Sequence, residues 1–136
     1  AGEGDLSLAL RDLTSELNLH KQVKFLGYLN PEELRSITPQ AHLGLNLLEN
    51  RGLSYYYSLA NKSFDYIQAG LPSLQMNFPE YSALQEKYEV FELLENLSIG
   101  SVVTAVNEVK PTSDRYVILK KNCHAARLEL NWEKEL

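Results

Sequence analysis

One cysteine in 136 residues rules out a disulfide within the chain. No group of cysteines and histidines has the spacing of a zinc site, and His20, His42 and His124 are scattered. Basic residues are too few for a nucleic-acid partner: 13 Lys and Arg face 18 Asp and Glu, a net charge of −5. Such a chain has no positive field to hold a phosphate backbone by counterion release. An anionic ligand stays open, given a local positive site. No apolar run approaches the roughly 18 residues a membrane span needs, and no charged-then-apolar leader opens the chain. The cytoplasm is the expected compartment. Repeats, low-complexity tracts and linkers are absent, so the expectation is one domain over residues 1–136. A 44% hydrophobic and 23% charged composition is that of an ordinary folded domain, which excludes disorder of the whole chain.

The segments that are present alternate between two periods. Leu6, Leu10, Leu13 and Leu17 predict a helix over residues 5–18 with Asp5 as its cap. Val23–Leu26 is short, partly β-branched and stopped by Gly27, as a strand would be. Asn30, Pro31 and Glu33 spell a helix start with a reciprocal cap, and Pro39 makes that helix brief. Leu43–Leu48 is a nearly continuous apolar run, which predicts a strand covered on both faces. A loop follows from Glu49 to Ser58, then a helix over 60–69 closed by Gly70. Ser73–Met76 and Val90–Leu94 are further strand candidates. Between them Pro79 opens a helix with Tyr81, Leu84 and Tyr88 on one side.

Two C-terminal helices have stripes of Ile99, Val102, Val103, Val106 and Val109, and of Tyr116, Leu119, Cys123, Ala126 and Leu130. Cys123 is thereby a core residue rather than a nucleophile. Glu32, Glu33, Glu129 and Glu133 are solvated faces, with no carboxylate pair placed for acid–base work. Strands alternating with helices predict the α/β class, a parallel sheet flanked by helices. Ligands of such sheets bind outside the carboxyl ends of the strands.

The start of the helix at 60–69 is the best ligand candidate. Its first backbone amides lack intrahelical partners, and the helix dipole there favours an anion. Lys62 adds a full charge against that dipole, a small cost that an anionic ligand offsets. Asn61 and Lys62 precede Asp65 by four and three residues and share its side of the helix. About 5.4 Å of rise separates consecutive turns, close to the step from a nucleotide's diphosphate to its ribose hydroxyls. The plainer alternative is a solvated Lys62–Asp65 pair. Tyr55, Tyr56 and Tyr57 offer stacking faces for a sugar, or else a loop packed onto the domain.

Asn61-Lys62-Ser63-Phe64-Asp65-Tyr66-Ile67-Gln68-Ala69-Gly70-Leu71-Pro72 resembles the NK-x-F-(E/D)-Y-x-x-A-G-x-P signature of family 4 glycosyltransferases. That signature belongs to the C-terminal, donor-nucleotide-binding domain of the GT-B fold. Flanking pieces follow in the family's order: Gly2–Asp5 is similar to a G-x-G turn, Val23–Tyr28 to V-x-F-x-G, and Ala41–Leu45 to the entry of the next strand. Asn131-Trp132 resembles the family's S-W before its last helix.

The resemblance implies a Rossmann-like sheet and retaining glycosyl transfer from a sugar nucleotide to an unidentified acceptor. It implies no bound metal and no cofactor, the sugar nucleotide being a substrate. Asp65 would bind the ribose, Asn61 and Lys62 the diphosphate, and the backbone of Gly27, Tyr28 and Leu29 the base. The first acid of the family's Glu-x7-Glu pattern falls at Tyr57, so Tyr57 and Ser58 are candidates for the donor sugar. His42 stands where the family commonly has Asp, and Ala60 where it has Pro. The acceptor domain, the first strands of the sheet and the family's phosphate-neutralising Arg and Lys would lie before Gly2. The segment alone is then expected to be inactive, and its unpaired strand edges to be met by strands of a longer chain, by closing up of the flanking strands, or by a second copy. A non-catalytic nucleotide-binding or protein-interaction module on the same fold is the alternative.

Overall fold

The computed structural model describes residues 1–131; Trp132 and Glu133 lie outside the described residues. Two compact units divide the chain, Ala1–Ile37 and Thr38–Leu136.

The first unit holds α1 (Ser7–Glu16) and α2 (Pro31–Ile37). The helical spacing of the leucines is realised in α1, but Asp5 does not cap it. Leu6 occupies the cap position without a side-chain bond, and the Gly4 amide donates to Ser7 Oγ at 2.9 Å. The leucine stripe is solvent-facing: Leu6, Leu10, Leu13 and Leu17 are all exposed, and only Thr14 is buried. In α2 the expected reciprocal cap is present. Asn30 Oδ1 accepts from the Glu33 amide at 2.9 Å, and Glu33 Oε2 from the Asn30 amide at 2.8 Å. Two otherwise orphaned donors are thereby satisfied. Val23–Leu26 is not a strand. A strand exists through its ladder, whereas the Val23 amide turns back to the Leu19 carbonyl and no strand pairs with the segment among the described residues.

In the second unit, a 3-10 turn (Thr38–Gln40) leads to β1 (Gly44–Asn46), α3 (Leu53–Tyr56) and α4 (Asn61–Gln68). Then come β2 (Ser73–Met76), α5 (Pro79–Tyr88), β3 (Phe91–Leu94), α6 (Ile99–Glu108) and α7 (Asp114–Ala126). The three strands form one parallel sheet in the order β1-β2-β3, with Leu45 opposite Leu74 and Leu74 opposite Glu92. The α/β class with a parallel sheet flanked by helices is what the alternating periods predicted. β2, in the middle, is buried at every residue, as a strand covered on both faces should be.

β1 departs from expectation. It is three residues long and lies at the sheet edge, with Leu45 49% exposed between buried Gly44 and Asn46. Its close approach to α4 requires a glycine: a Cβ at Gly44 would lie 2.7 Å from the Tyr66 ring. The same tyrosine donates its hydroxyl to the Leu45 carbonyl at 3.1 Å. The expected Glu49–Ser58 loop contains the single turn of α3.

The core gathers Ile67 of α4, Leu74 and Met76 of β2, Tyr81 of α5 and Phe91 of β3 against α6 and α7. On α7 the predicted stripe is the buried one: Tyr116, Leu119, Cys123 and Ala126. Burial pushes the Cys123 thiol up to about 12, which makes it an inert core group. On α6 the predicted stripe splits. Val102, Ala105 and Val109 pack inward, while Ile99, Val103 and Val106 are exposed. Both sets have helical spacing, and the small Ala105 makes the first the face that approaches β3 closely. No helix among the described residues is long and apolar enough to cross a membrane.

Candidate functional site

Helix α4 begins beyond the carboxyl end of β1, where open α/β sheets take their ligands. Its N-cap is Ala60, in extended conformation, and no side chain caps the first turn. The expected closing glycine does its part at the other end: Gly70 has φ +67°, and its amide reaches the Ile67 carbonyl at 3.0 Å.

Asn61, Lys62 and Asp65 are exposed on α4, and Ser63 and Ile67 are turned inward. Lys62 and Asp65 make no ion pair with each other or with any other described residue. The plain solvated pair is therefore not formed. Both charges are free toward solvent, one turn apart.

Beneath this turn lies a buried polar network. Asn46 Nδ2, at the end of β1, donates toward Gln75 Oε1 at 2.7 Å, Tyr81 Oη at 3.0 Å and Ser63 Oγ at 3.3 Å. Ser63 Oγ donates to Gln75 Oε1 at 3.1 Å, and Gln75 Nε2 to Ser73 Oγ at 2.9 Å. Tyr81 Oη accepts the Ala60 amide at 2.9 Å. The network thus ties β1, β2, α4 and α5 together directly under the first turn of α4. Its members are almost fully shielded: Asn46 is 1% exposed, and Ser63, Gln75 and Tyr81 are 0% exposed. Asn46 Oδ1 has no partner, the one such buried side-chain nitrogen or oxygen among the described residues. An unpaired buried acceptor costs about 1–3 kcal/mol. Asn46 and Gln75 are legible in the sequence as polar residues within two strand candidates, but that they meet follows only from the register of β1 on β2.

The other candidates are less assembled. Gly27, Tyr28 and Leu29 belong to the first unit. Gly27 has φ +65° and its carbonyl accepts the Gly2 amide, while Tyr28 is 79% exposed. Tyr57 follows α3 and meets Tyr56 edge to face at 5.1 Å between ring centroids. Ser58 donates its hydroxyl to the Tyr55 carbonyl at 2.8 Å. Among the described residues no group of three or more His, Cys, Asp or Glu could hold a metal.

The chain matches no protein-family model, no curated protein and no solved structure. A functional reading rests on the residues themselves.

The start of α4 brings positive potential and a carboxylate within one turn of each other. The uncapped amides of the first turn and the Lys62 ammonium carry positive potential. The Asp65 carboxylate, one turn on, is exposed and is chemically able to accept hydrogen bonds from neighbouring hydroxyls. The network below holds the turn in place from three sides.

Proposed function

We propose that this chain is the donor-nucleotide-binding part of a retaining glycosyltransferase of the GT-B type. The observation that carries the reading is the Asn61–Pro72 segment. Its residues resemble the family 4 signature, and those from Asn61 to Gln68 form a helix whose uncapped start lies beyond the carboxyl end of a parallel strand.

On this reading α4 receives the donor's diphosphate at the amides of its first turn, with Asn61 and Lys62 beside it. Asp65 orients the ribose hydroxyls. Tyr57 and Ser58 face the donor sugar. Catalysis is electrostatic: fixed dipoles and the Lys62 charge stabilise the departing nucleoside diphosphate as the glycosidic bond breaks. Those dipoles cost little reorganisation, because Tyr81, itself bonded by Asn46, holds the Ala60 amide at the start of the helix.

One observation favours a second reading, a nucleotide-binding module without transfer chemistry. Tyr57, 58% exposed, stands where the family has the first acid of its Glu-x7-Glu pattern. Thermal-shift screening of sugar nucleotides, followed by a transfer assay on the full-length protein, separates the two. A ligand that binds only the folded state raises the melting temperature. Stabilisation by nucleoside diphosphates together with transfer supports the first reading, stabilisation without transfer the second, and no stabilisation refutes both.

A further inference from the structure

The far end of α4 borders a different feature. The turn Ala69-Gly70-Leu71, which precedes β2, and Pro39 and Ala41, which precede β1, wall a cavity of about 350 Å³. It therefore opens at the amino-terminal edge of the sheet, opposite the start of α4. Its remaining wall is α7, through Tyr116, Lys120, His124 and Arg127. A second hollow of about 540 Å³ shares Tyr116, Lys120 and His124 and adds Lys121 and His42.

The charge there is unusual for this chain. Net charge is −5, yet Lys120, Lys121 and Arg127 gather on one helix beside two histidines. Arg11, Arg51 and Arg115 each pair with a glutamate. Lys120, Lys121, His124 and Arg127 pair with no carboxylate among the described residues. Lys120, His124 and Arg127 follow one another at four- and three-residue steps, so they line one side of α7.

The walls are also built to keep the hollow's shape. Gly70 sits under the His124 ring, which a Cβ at that position would meet at 2.4 Å. Gln68 Nε2 donates to the Leu130 and Arg127 carbonyls, tying the end of α4 to the end of α7. The Lys120 ammonium lies 5.8 Å from the centroid of the Tyr116 ring, which keeps it at the cavity.

We propose that this cavity binds a small multivalent phosphate anion, of the size of a diphosphate. From Lys120 to Arg127 the helix rises about 10.5 Å, more than a single phosphate spans with direct contacts to both. Two linked phosphates reach both cations with His124 between them. The hollow's volume suits a small molecule rather than a polymer, and the acidic remainder of the surface disfavours a nucleic-acid backbone.

The test uses inorganic pyrophosphate on the full 136-residue chain carrying Lys62→Gln. That background weakens any anion binding at the start of α4, so failure here leaves the donor-site reading untouched. Amide signals of residues 120–127 are followed by NMR during titration, against potassium chloride at equal ionic strength. Saturable shifts with pyrophosphate alone are expected. Adding Lys120→Gln and Arg127→Gln, both at exposed positions, should weaken binding by about ten-fold or more, as loss of charge-assisted hydrogen bonds does. Shifts that chloride reproduces, or an affinity unchanged in the triple variant, overturn the proposal.

Discussion

The Tyr81 hydroxyl, fully buried on α5, accepts the backbone amide of Ala60 at 2.9 Å. This one bond joins the start of the α4 helix to the core across 21 residues of sequence. It also meets the Asn46 amide, so one oxygen serves both the helix start and the strand end. Tyr81→Phe would leave the partly buried Ala60 amide without this partner, at about 1–3 kcal/mol, while Asn46 Nδ2 keeps Gln75 Oε1 and Ser63 Oγ. Urea unfolding should show a midpoint shift of that order with an unchanged slope. A change below about 0.5 kcal/mol, the range of ordinary surface substitutions, would contradict the structural role given to this network.

Close packing of β1 on α4 makes a second prediction. A methyl at Gly44 would lie 2.7 Å from the Tyr66 ring, so Gly44→Ala overpacks the contact. The expected loss is about 1–3 kcal/mol. Tyr66→Ala on its own removes the ring and the bond to the Leu45 carbonyl, and should destabilise as well. In the double variant the two losses should not add, because the clash needs both groups. Strict additivity in a double-mutant cycle would show that the ring does not sit over Gly44.

How much of this was legible in the sequence depended on whether a pattern names its own partner. The Tyr116–Ala126 stripe faces the core, because an apolar stripe has one place to go, whereas Ser73–Met76, half polar, is buried at every residue because it is the middle strand. Val23–Leu26 had strand composition, but composition does not supply a neighbouring strand, and none pairs with it among the described residues. On α6 two stripes of equal spacing competed, and the small Ala105 decided between them. At the candidate site the exposed trio Asn61, Lys62 and Asp65 was readable from helical spacing. The network under it was not, since Asn46, Gln75 and Tyr81 meet only through the crossover from β1 to α5. Ser63 is fully buried on α4 and Phe64 only partly so, the reverse of what their polarity alone predicts.

Cys123 sets a pH dependence whose sign follows from its burial. Desolvation raises the folded thiol to about 12, whereas an unfolded cysteine titrates at about 8.5. Between those values the unfolded chain has lost the proton and the folded chain has kept it. Stability from this group is thus fully present below about pH 8.5 and falls as pH rises toward 12, by at most about 1.4 kcal/mol per unit. Denaturant unfolding of the parent and of Cys123→Ala from pH 7 to 10 isolates the effect: the variant should lack that component of the slope. Ellman's reagent should leave the native thiol unmodified at pH 8 and modify it in denaturant. Rapid native labelling would refute its burial.

The last prediction concerns the roles of Lys62 and Asp65 on α4. Neither has an ion-pair partner among the described residues, so removing either charge costs little stability in the free protein. If α4 receives a donor nucleotide, both losses appear in binding instead. Asp65→Ala removes a charged acceptor for the ribose hydroxyls and should weaken donor binding by about 1.5–3 kcal/mol. Lys62→Ala should do the same, but with a difference in salt dependence. Lys62 acts on the diphosphate largely through an exposed charge, so its effect should shrink as added salt shortens the Debye length from about 30 Å to about 8 Å. The Asp65 effect, carried by short hydrogen bonds, should persist. Calorimetry with nucleoside diphosphates at two salt concentrations measures both, and unfolding curves of the same variants confirm that the fold is unchanged. If both variants bind the nucleotide as the parent does, α4 is not the donor site.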